Sequence, residues 1–329
     1  MGEAGVTAST GRGFDLERRL RQVALVGALA VIVYLVLAVL SDASAIQDGL
    51  QRLGPLQWLA LLGLSLINYA LRFLRWRSYL QALGASVTIG RDLLIYVAGF
   101  AFTVTPGKAG KAGKAGEAVR SVYLKSAGVP WSPGLAALAV ERVLDLTAVV
   151  MLAALALRVF ADHALTAVLL VVAVAAVLLL ITRPTVARWL LAWLPERGRW
   201  ARLKQGGLAV LEQTRVLLAP KRLLGGLALG VVAWGAEAWG FFLLLGWLGV
   251  DAGLLQAMGI YALGMLAGAL SFLPGGLGSA EAAMVALLVA SGAVLGTAVL
   301  ATLICRAVTL WFAVVLGIGA VLLLGRRGG

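Results

Sequence analysis

Cysteine and histidine are almost missing from this 329-residue chain, which has one of each, Cys305 and His163. One cysteine excludes an intramolecular disulfide and a multi-cysteine metal site. The one histidine lies in a short polar break, "RVFADH", where a solvated loop residue is expected rather than a ligand or a base. Charge is scarce too: Asp, Glu, Lys and Arg make up 13% of residues, where about 25% is usual for a soluble domain. No alternation of apolar and polar residues is present of the kind an outer-membrane barrel needs. Apolar runs are continuous instead, as in "VALVGALAVIVYLVLAVL". Apolar residues make up 61% of the chain, and mean hydropathy is +0.97. A single soluble core cannot hide that much apolar surface, so a soluble enzyme is excluded. The fold class expected is all-α, a polytopic helical integral membrane protein. The 41 Gly against 8 Pro fit packed membrane helices.

Full spans are expected at about 23–40, 56–73, 135–157, 165–182, 223–248 and 297–324. Two shorter apolar pieces, 93–105 and 254–272, each run into a Pro-Gly break. The first is only ~20 Å long at 1.5 Å per residue, too short for a ~30 Å hydrocarbon core. Net charge is 28 − 15 = +13, and such an excess gathers in cytoplasmic loops facing anionic lipid. The N-terminus, the Arg75–Arg91 region, the Lys108–Lys125 segment, the Arg183–Arg222 stretch and the C-terminus are all basic. They fall on one side if the two broken pieces are re-entrant hairpins. That gives about six full spans with both termini cytoplasmic; eight or more spans is the alternative. Residues 1–22 then form a basic tail, 23–325 the transmembrane domain, and 326–329 a second tail. Residues 183–222 form an amphipathic connection on the membrane surface. No cleavable signal peptide is expected, because no small-residue cleavage site follows the first apolar run.

The two breaks repeat each other. Tyr96 and Gly99 precede Pro106-Gly107, and Tyr261 and Gly264 precede Pro274-Gly275. Glu117 to Gly128 and Glu281 to Gly292 both span 11 residues (128 − 117 and 292 − 281). Glu117 to Arg142 and Glu281 to Arg306 both span 25 (142 − 117 and 306 − 281). One unit entering from the cytoplasm and the other from outside is the inverted-repeat plan of many secondary transporters. The plain alternative is that Pro-Gly ends helices wherever it occurs. The run "KAGKAGKAG" reads as a six-residue tandem insertion into "PGKAGE". It is no Walker A loop, since Ala112 stands where the second Gly belongs and neither Ser nor Thr follows Lys114.

The segments "TPG…KAGEAVRSVYLK", "VERVLDL" and "SFLPGGLGSAEAAM", followed by the isolated Arg306, resemble the lysylphosphatidylglycerol synthase transmembrane family, also called the flippase-like family. The resemblance runs over roughly residues 20–325. In its best-known members this membrane part is fused to a soluble aminoacyl-transferase domain and moves the aminoacylated lipid between leaflets. This chain ends just after its last span, so that domain is expected to be absent. What the resemblance implies is therefore lipid handling, not aminoacyl transfer: a translocase for an anionic or modified lipid or a lipid-linked intermediate. It is expected to be no enzyme, to need no cofactor and no metal, and to sit in the cytoplasmic (inner) membrane. Its partners are a membrane phospholipid or lipid-linked substrate, with a separate lipid-modifying enzyme as a further candidate and no nucleic acid. The departure from the family pattern is the Lys-Ala-Gly insertion. Two other functions stay open, an enzyme acting on a lipid phosphate and a scaffold for a lipid-modifying partner.

A charged side chain inside a bilayer costs ~2.5–3.5 kcal/mol on insertion scales, so each one needs a partner or a cavity. The candidates are Arg72, Arg75, Glu117, Arg120, Glu141, Arg142, Asp145, Glu237, Glu281 and Arg306. Pro106, Gly107, Pro274, Gly275 and Gly276 join them at the broken helix ends, whose dipoles add positive charge. Arg120, Arg142 and Arg306 match phosphate oxygens bidentately. Glu117 and Glu281 can neutralise them when no substrate is bound. Glu141 and Asp145 share a helix face at i,i+4, and Arg142 points about 100° away. Arg142 and Arg306 are expected to face one central region from opposite repeats. The alternative is an ion-pair network that holds the repeats together. For Arg72, Arg75 and Arg77, near a basic helix end, snorkelling is sufficient explanation.

Overall fold

The computed structural model describes residues 43–104, 115–156, 172, 184–193, 195, 197–271 and 273–326. The expected span 23–40, all but one residue of 165–182, Pro106, Gly107 and residues 108–114 of the Lys-Ala-Gly run lie outside the described residues. Every regular element among the described residues is helical, as expected of a polytopic helical membrane protein. The helices are α1 Ala43–Gln51, α2 Pro55–Ala82, α3 Ile89–Ala98, α4 Ala115–Ser126, α5 Trp131–Ala156 and α6 Pro184–Ala192. There follow α7 Gly198–Leu217, α8 Pro220–Trp247, α9 Leu254–Leu270, α10 Ser279–Ala290, α11 Leu295–Arg306 and α12 Phe312–Arg326. A 3₁₀ turn, Gly99–Phe102, extends α3, and a π-helical turn, Ala307–Trp311, joins α11 and α12 into one rod.

Among the described residues, three helices are apolar and long enough to cross a membrane: Pro55–Ala82, Pro220–Trp247 and the continuous Leu295–Arg326. Helix α5 has 26 residues, ~39 Å at 1.5 Å each, but carries Glu141, Arg142 and Asp145 in its middle. Four of the six expected spans thus fall on these helices. The short pieces stay short: α9 has 17 residues and α10 has 12, ~26 and ~18 Å, below the ~30 Å core.

Element boundaries recur at a nearly constant offset. Helices α2 and α8 both have 28 residues and both begin with Pro at the first helical position, where its missing N–H costs no bond. Their starts differ by 220 − 55 = 165, and those of α3 and α9 by 254 − 89 = 165. For α4 and α10 the difference is 279 − 115 = 164, and for α5 and α11 it is 295 − 131 = 164. The helix-ending glycines obey the same offsets. Gly84 (φ 71) matches Gly249 (φ 80), and Gly128 (φ 85) matches Gly292 (φ 93). All four make the same closing pair of bonds, for example Gly84 N–H to Gln81 O with Ala85 N–H to Leu80 O, and Gly249 N–H to Gly246 O with Val250 N–H to Leu245 O. These left-handed positions end a helix cheaply only as glycine.

Packing is reciprocal between the two sets. Helices α2 and α8 run antiparallel, with Tyr79 against Gly226 near one end and Leu64 against Gly240 near the other. Helix α5 of the first set lies on α9 of the second, and α12 of the second lies on α3 and its 3₁₀ turn in the first. In lipid no hydrophobic force drives helices together, so close contact rests on small residues. Gly226 and Gly230, four apart on α8, make room for Tyr79 and Arg75: a Cβ would come within 2.0 Å of the Tyr79 hydroxyl and 2.8 Å of Arg75 Nη1. In the connection between the sets, α7 packs against α5 and buries Leu217.

Candidate functional site

On α2, Ser65, Asn68, Arg72, Arg75 and Tyr79 are all buried. Their spacing of three and four residues puts them on one face, and they span ~21 Å along the helix axis. Asp145 of α5 pairs with Arg72 at 2.8 Å and with Arg75. Glu141, one turn away on the same face, pairs with Arg120 of α4 at 3.1 Å and stands 4.0 Å from Arg75. Arg120 also donates from Nε to the Tyr96 carbonyl at 3.1 Å, and its guanidinium lies 4.0 Å over the Tyr96 ring. Gly99 permits this, since a Cβ there would sit 2.4 Å from Arg120 Nε. Arg72 lies 5.3 Å over the indole of Trp234 on α8. Each guanidinium therefore meets both carboxylate and aromatic or backbone partners, which is what offsets its desolvation.

The second Pro-Gly break is built around Arg306. Its Nε pairs with Glu281 at 2.8 Å, and another guanidinium nitrogen donates to the Gly275 carbonyl. Glu281 in turn accepts the Gly278 N–H at 2.7 Å, capping the start of α10. Pro274, Gly275 and Gly276 form a 3₁₀ turn in which Gly275 and Gly276 have φ of 62° and 65°. Gly276 lies so close to α9 that a Cβ would meet Gly268 Cα at 2.8 Å. Mid-way along α8, the buried Glu237 accepts a hydrogen bond from Tyr261 of α9. Beside it, Tyr69 of α2 donates to the Thr309 carbonyl in the π-helical turn, a type of irregularity frequent at functional sites.

The structure thus brings Arg120, Glu141 and Asp145 into one buried cluster, and Glu281, Arg306 and the Pro274–Gly276 turn into another. Glu237 stands between α2 and α9. Arg142 is exposed, unlike Arg306, because its one-residue step from Glu141 turns it off the buried face of α5. The backbone of Glu117 lies in the first turns of α4; its side chain is outside the described residues. Arg72 and Arg75 are not snorkelling. They are 7% and 0% exposed and belong to the first cluster, as do Asn68, Tyr79 and Tyr96. Their signal was the three-four polar spacing on α2, masked by their closeness to a basic helix end. At the end of this polar face, Ser78, Tyr79, Arg222, Gly225 and Val232 help to line a groove of about 500 Å³ between α2 and α8.

The family model of the lysylphosphatidylglycerol synthase TM region matches residues 25–317. No curated protein matches the chain in sequence. The matched span contains both charge clusters, the polar face of α2 and the second Pro-Gly break. The chain therefore belongs to the lysylphosphatidylglycerol synthase transmembrane family, whose membrane proteins are concerned with lipid modification or translocation.

Proposed function

We propose that this protein is a lipid translocase of the cytoplasmic membrane, which moves an anionic or modified phospholipid, or a lipid-linked intermediate, between leaflets without altering it chemically. The observation that carries this reading is the buried polar face Ser65–Tyr79, which runs ~21 Å through the bundle and ends in the groove beside Arg222. A headgroup crossing a bilayer needs polar partners along its way while its acyl chains stay in lipid. The groove is lined by Ser78 and Tyr79 of α2 and by Arg222, Gly225 and Val232 of α8, a mixture of polar and apolar groups that suits an acyl chain beside a phosphate.

The constant 164–165 offset and the antiparallel pairing of α2 with α8 support an inverted duplication. In such transporters the two halves rock about a central site, and the reciprocal α5–α9 and α12–α3 contacts are the surfaces on which they would move. The basic residues then lie on the cytoplasmic side, with both termini there. One observation favours a second reading, in which the charges only hold helices together: the arginines Arg72, Arg75, Arg120 and Arg306 all meet carboxylates.

The Arg72→Lys variant separates the two readings. Lysine keeps the charge opposite Asp145 but loses the planar fork that matches phosphate. The translocase reading predicts a stable protein that moves labelled phosphatidylglycerol across reconstituted vesicles more slowly. Unchanged translocation at unchanged melting temperature supports the purely structural reading.

A further inference from the structure

Glu237 is 6% exposed at the centre of α8. Its Oε2 accepts the Tyr261 hydroxyl, and the other oxygen makes no hydrogen bond among the described residues. No ion pair reaches it among those residues. The other acids of the two clusters each hold an arginine: Asp145 holds Arg72 and Arg75, Glu141 holds Arg120, and Glu281 holds Arg306. Asp92, off to the side, is held by Arg77 at 3.2 Å. Among the described residues of the two clusters, Glu237 is thus the one carboxylate that faces no arginine in an ion pair.

We propose that Glu237 is a proton-binding site, and that the proton it takes up accompanies an anionic lipid headgroup through the protein. The proton adds to the carboxylate oxygen not bonded to Tyr261, giving a neutral acid. The buried polar face then holds one negative charge fewer, which favours an anionic phosphodiester beside Arg72. Release of the proton returns that negative charge and expels the headgroup.

The groups that face Glu237 leave it as the one whose charge changes. From α2 they are Tyr69 and Arg72, from α5 Asp145, and from α9 Tyr261. From α11 they are Cys305 and Arg306, with Glu281 of α10 bound to Arg306. Asp145 meets Arg72 and Arg75, and Glu281 meets Arg306, whereas Glu237 meets only the Tyr261 hydroxyl among the described residues. Glu237 also lines a cavity of about 10 Å³ with Ser65, Cys305 and Thr309, room for one water that could carry a proton. Asn68, one turn from Ser65, is fully buried with neither amide atom bonded among the described residues. It extends the polar route toward Tyr79 and the groove.

This inference rests on the translocase reading for its transport part, so the test has two readouts. Glu237→Gln keeps the size and the acceptor for Tyr261 but cannot ionise. In vesicles of phosphatidylcholine with labelled phosphatidylglycerol, wild-type translocation should fall by about tenfold per pH unit on its alkaline limb, as one proton requires. The variant should show no such limb. A variant whose pH profile parallels the wild type overturns the proposal. Independently, pH-difference infrared spectra of the purified full chain should show the carbonyl stretch of a protonated carboxylic acid, absent from Glu237→Gln. A wild type with no such band, or a band that survives the substitution, also overturns it. If neither protein translocates lipid at any pH, the translocase reading fails and the infrared band still decides the proton site.

Discussion

Arg306 reaches three parts of the second break at once: Glu281, the Gly275 carbonyl and the sulfur of Met265 at 3.9 Å. Removing it takes the arginine away from a carboxylate that is 3% exposed. Breaking a buried pair from one side costs ~3–5 kcal/mol, so Arg306→Ala should lower the melting temperature strongly in detergent. Glu281→Gln should cost less, since the Gln carbonyl can still cap the Gly278 N–H. Arg142→Ala, on an exposed site, should melt nearer to the wild type than Arg306→Ala does. An Arg306→Ala protein that melts with the wild type would contradict the role given to this pair. Sequence alone singled out Glu281 and Arg306 through the repeated 25-residue spacing, because intramembrane charges are rare enough for their spacing to carry information. It noted Arg72 and Arg75 among the intramembrane charges but assigned them to snorkelling rather than to the site. A guanidinium near a basic helix end has a sufficient explanation in snorkelling, and only the partner Asp145, on a helix distant in sequence, shows otherwise.

At the scale of elements, hydropathy and Pro-Gly punctuation place α2, α5, α8 and the α11–α12 rod, and they mark the short pieces on either side of the second break. What they do not place is which helix lies on which. That depends on backbone approach at a few small residues. Gly317 of α12 is one: a Cβ there would lie 2.2 Å from the Ala101 backbone nitrogen. Backbone cannot swing aside as a side chain can, so Gly317→Ala should push α12 off the 3₁₀ turn after α3, at a cost of ~1–3 kcal/mol. Gly49→Ala, where the nearest atom is a Leu300 methyl at 2.3 Å, should be relieved by a rotamer change and cost less. Thermal melting of the two variants compares them, and equal melting temperatures would contradict the tight α12 contact. The π-helical turn at Ala307–Trp311 is likewise invisible to an apolar run that reads as one continuous span.

For the whole molecule, the repeated boundaries make a claim about sidedness. Ser86 and Asp251 are equivalent positions in the two α-helical sets (251 − 86 = 165), and both are exposed in the loops after α2 and α8. An inverted duplication puts them on opposite sides of the membrane. Ser86→Cys should react with a membrane-impermeant thiol reagent only from the cytoplasmic side and Asp251→Cys only from outside; Cys305 is buried and should not interfere. Labelling of both from one side would contradict the inversion. The most direct test of the translocase account is leaflet exchange in vesicles holding the purified full chain and labelled phosphatidylglycerol. The fraction of label open to an external quencher is followed in time, and the lipid is then recovered for mass analysis. The account predicts that label from the inner leaflet becomes quenchable faster than in protein-free vesicles, with its mass unchanged. Exchange no faster than in protein-free vesicles, or recovery of a chemically altered lipid, would contradict it.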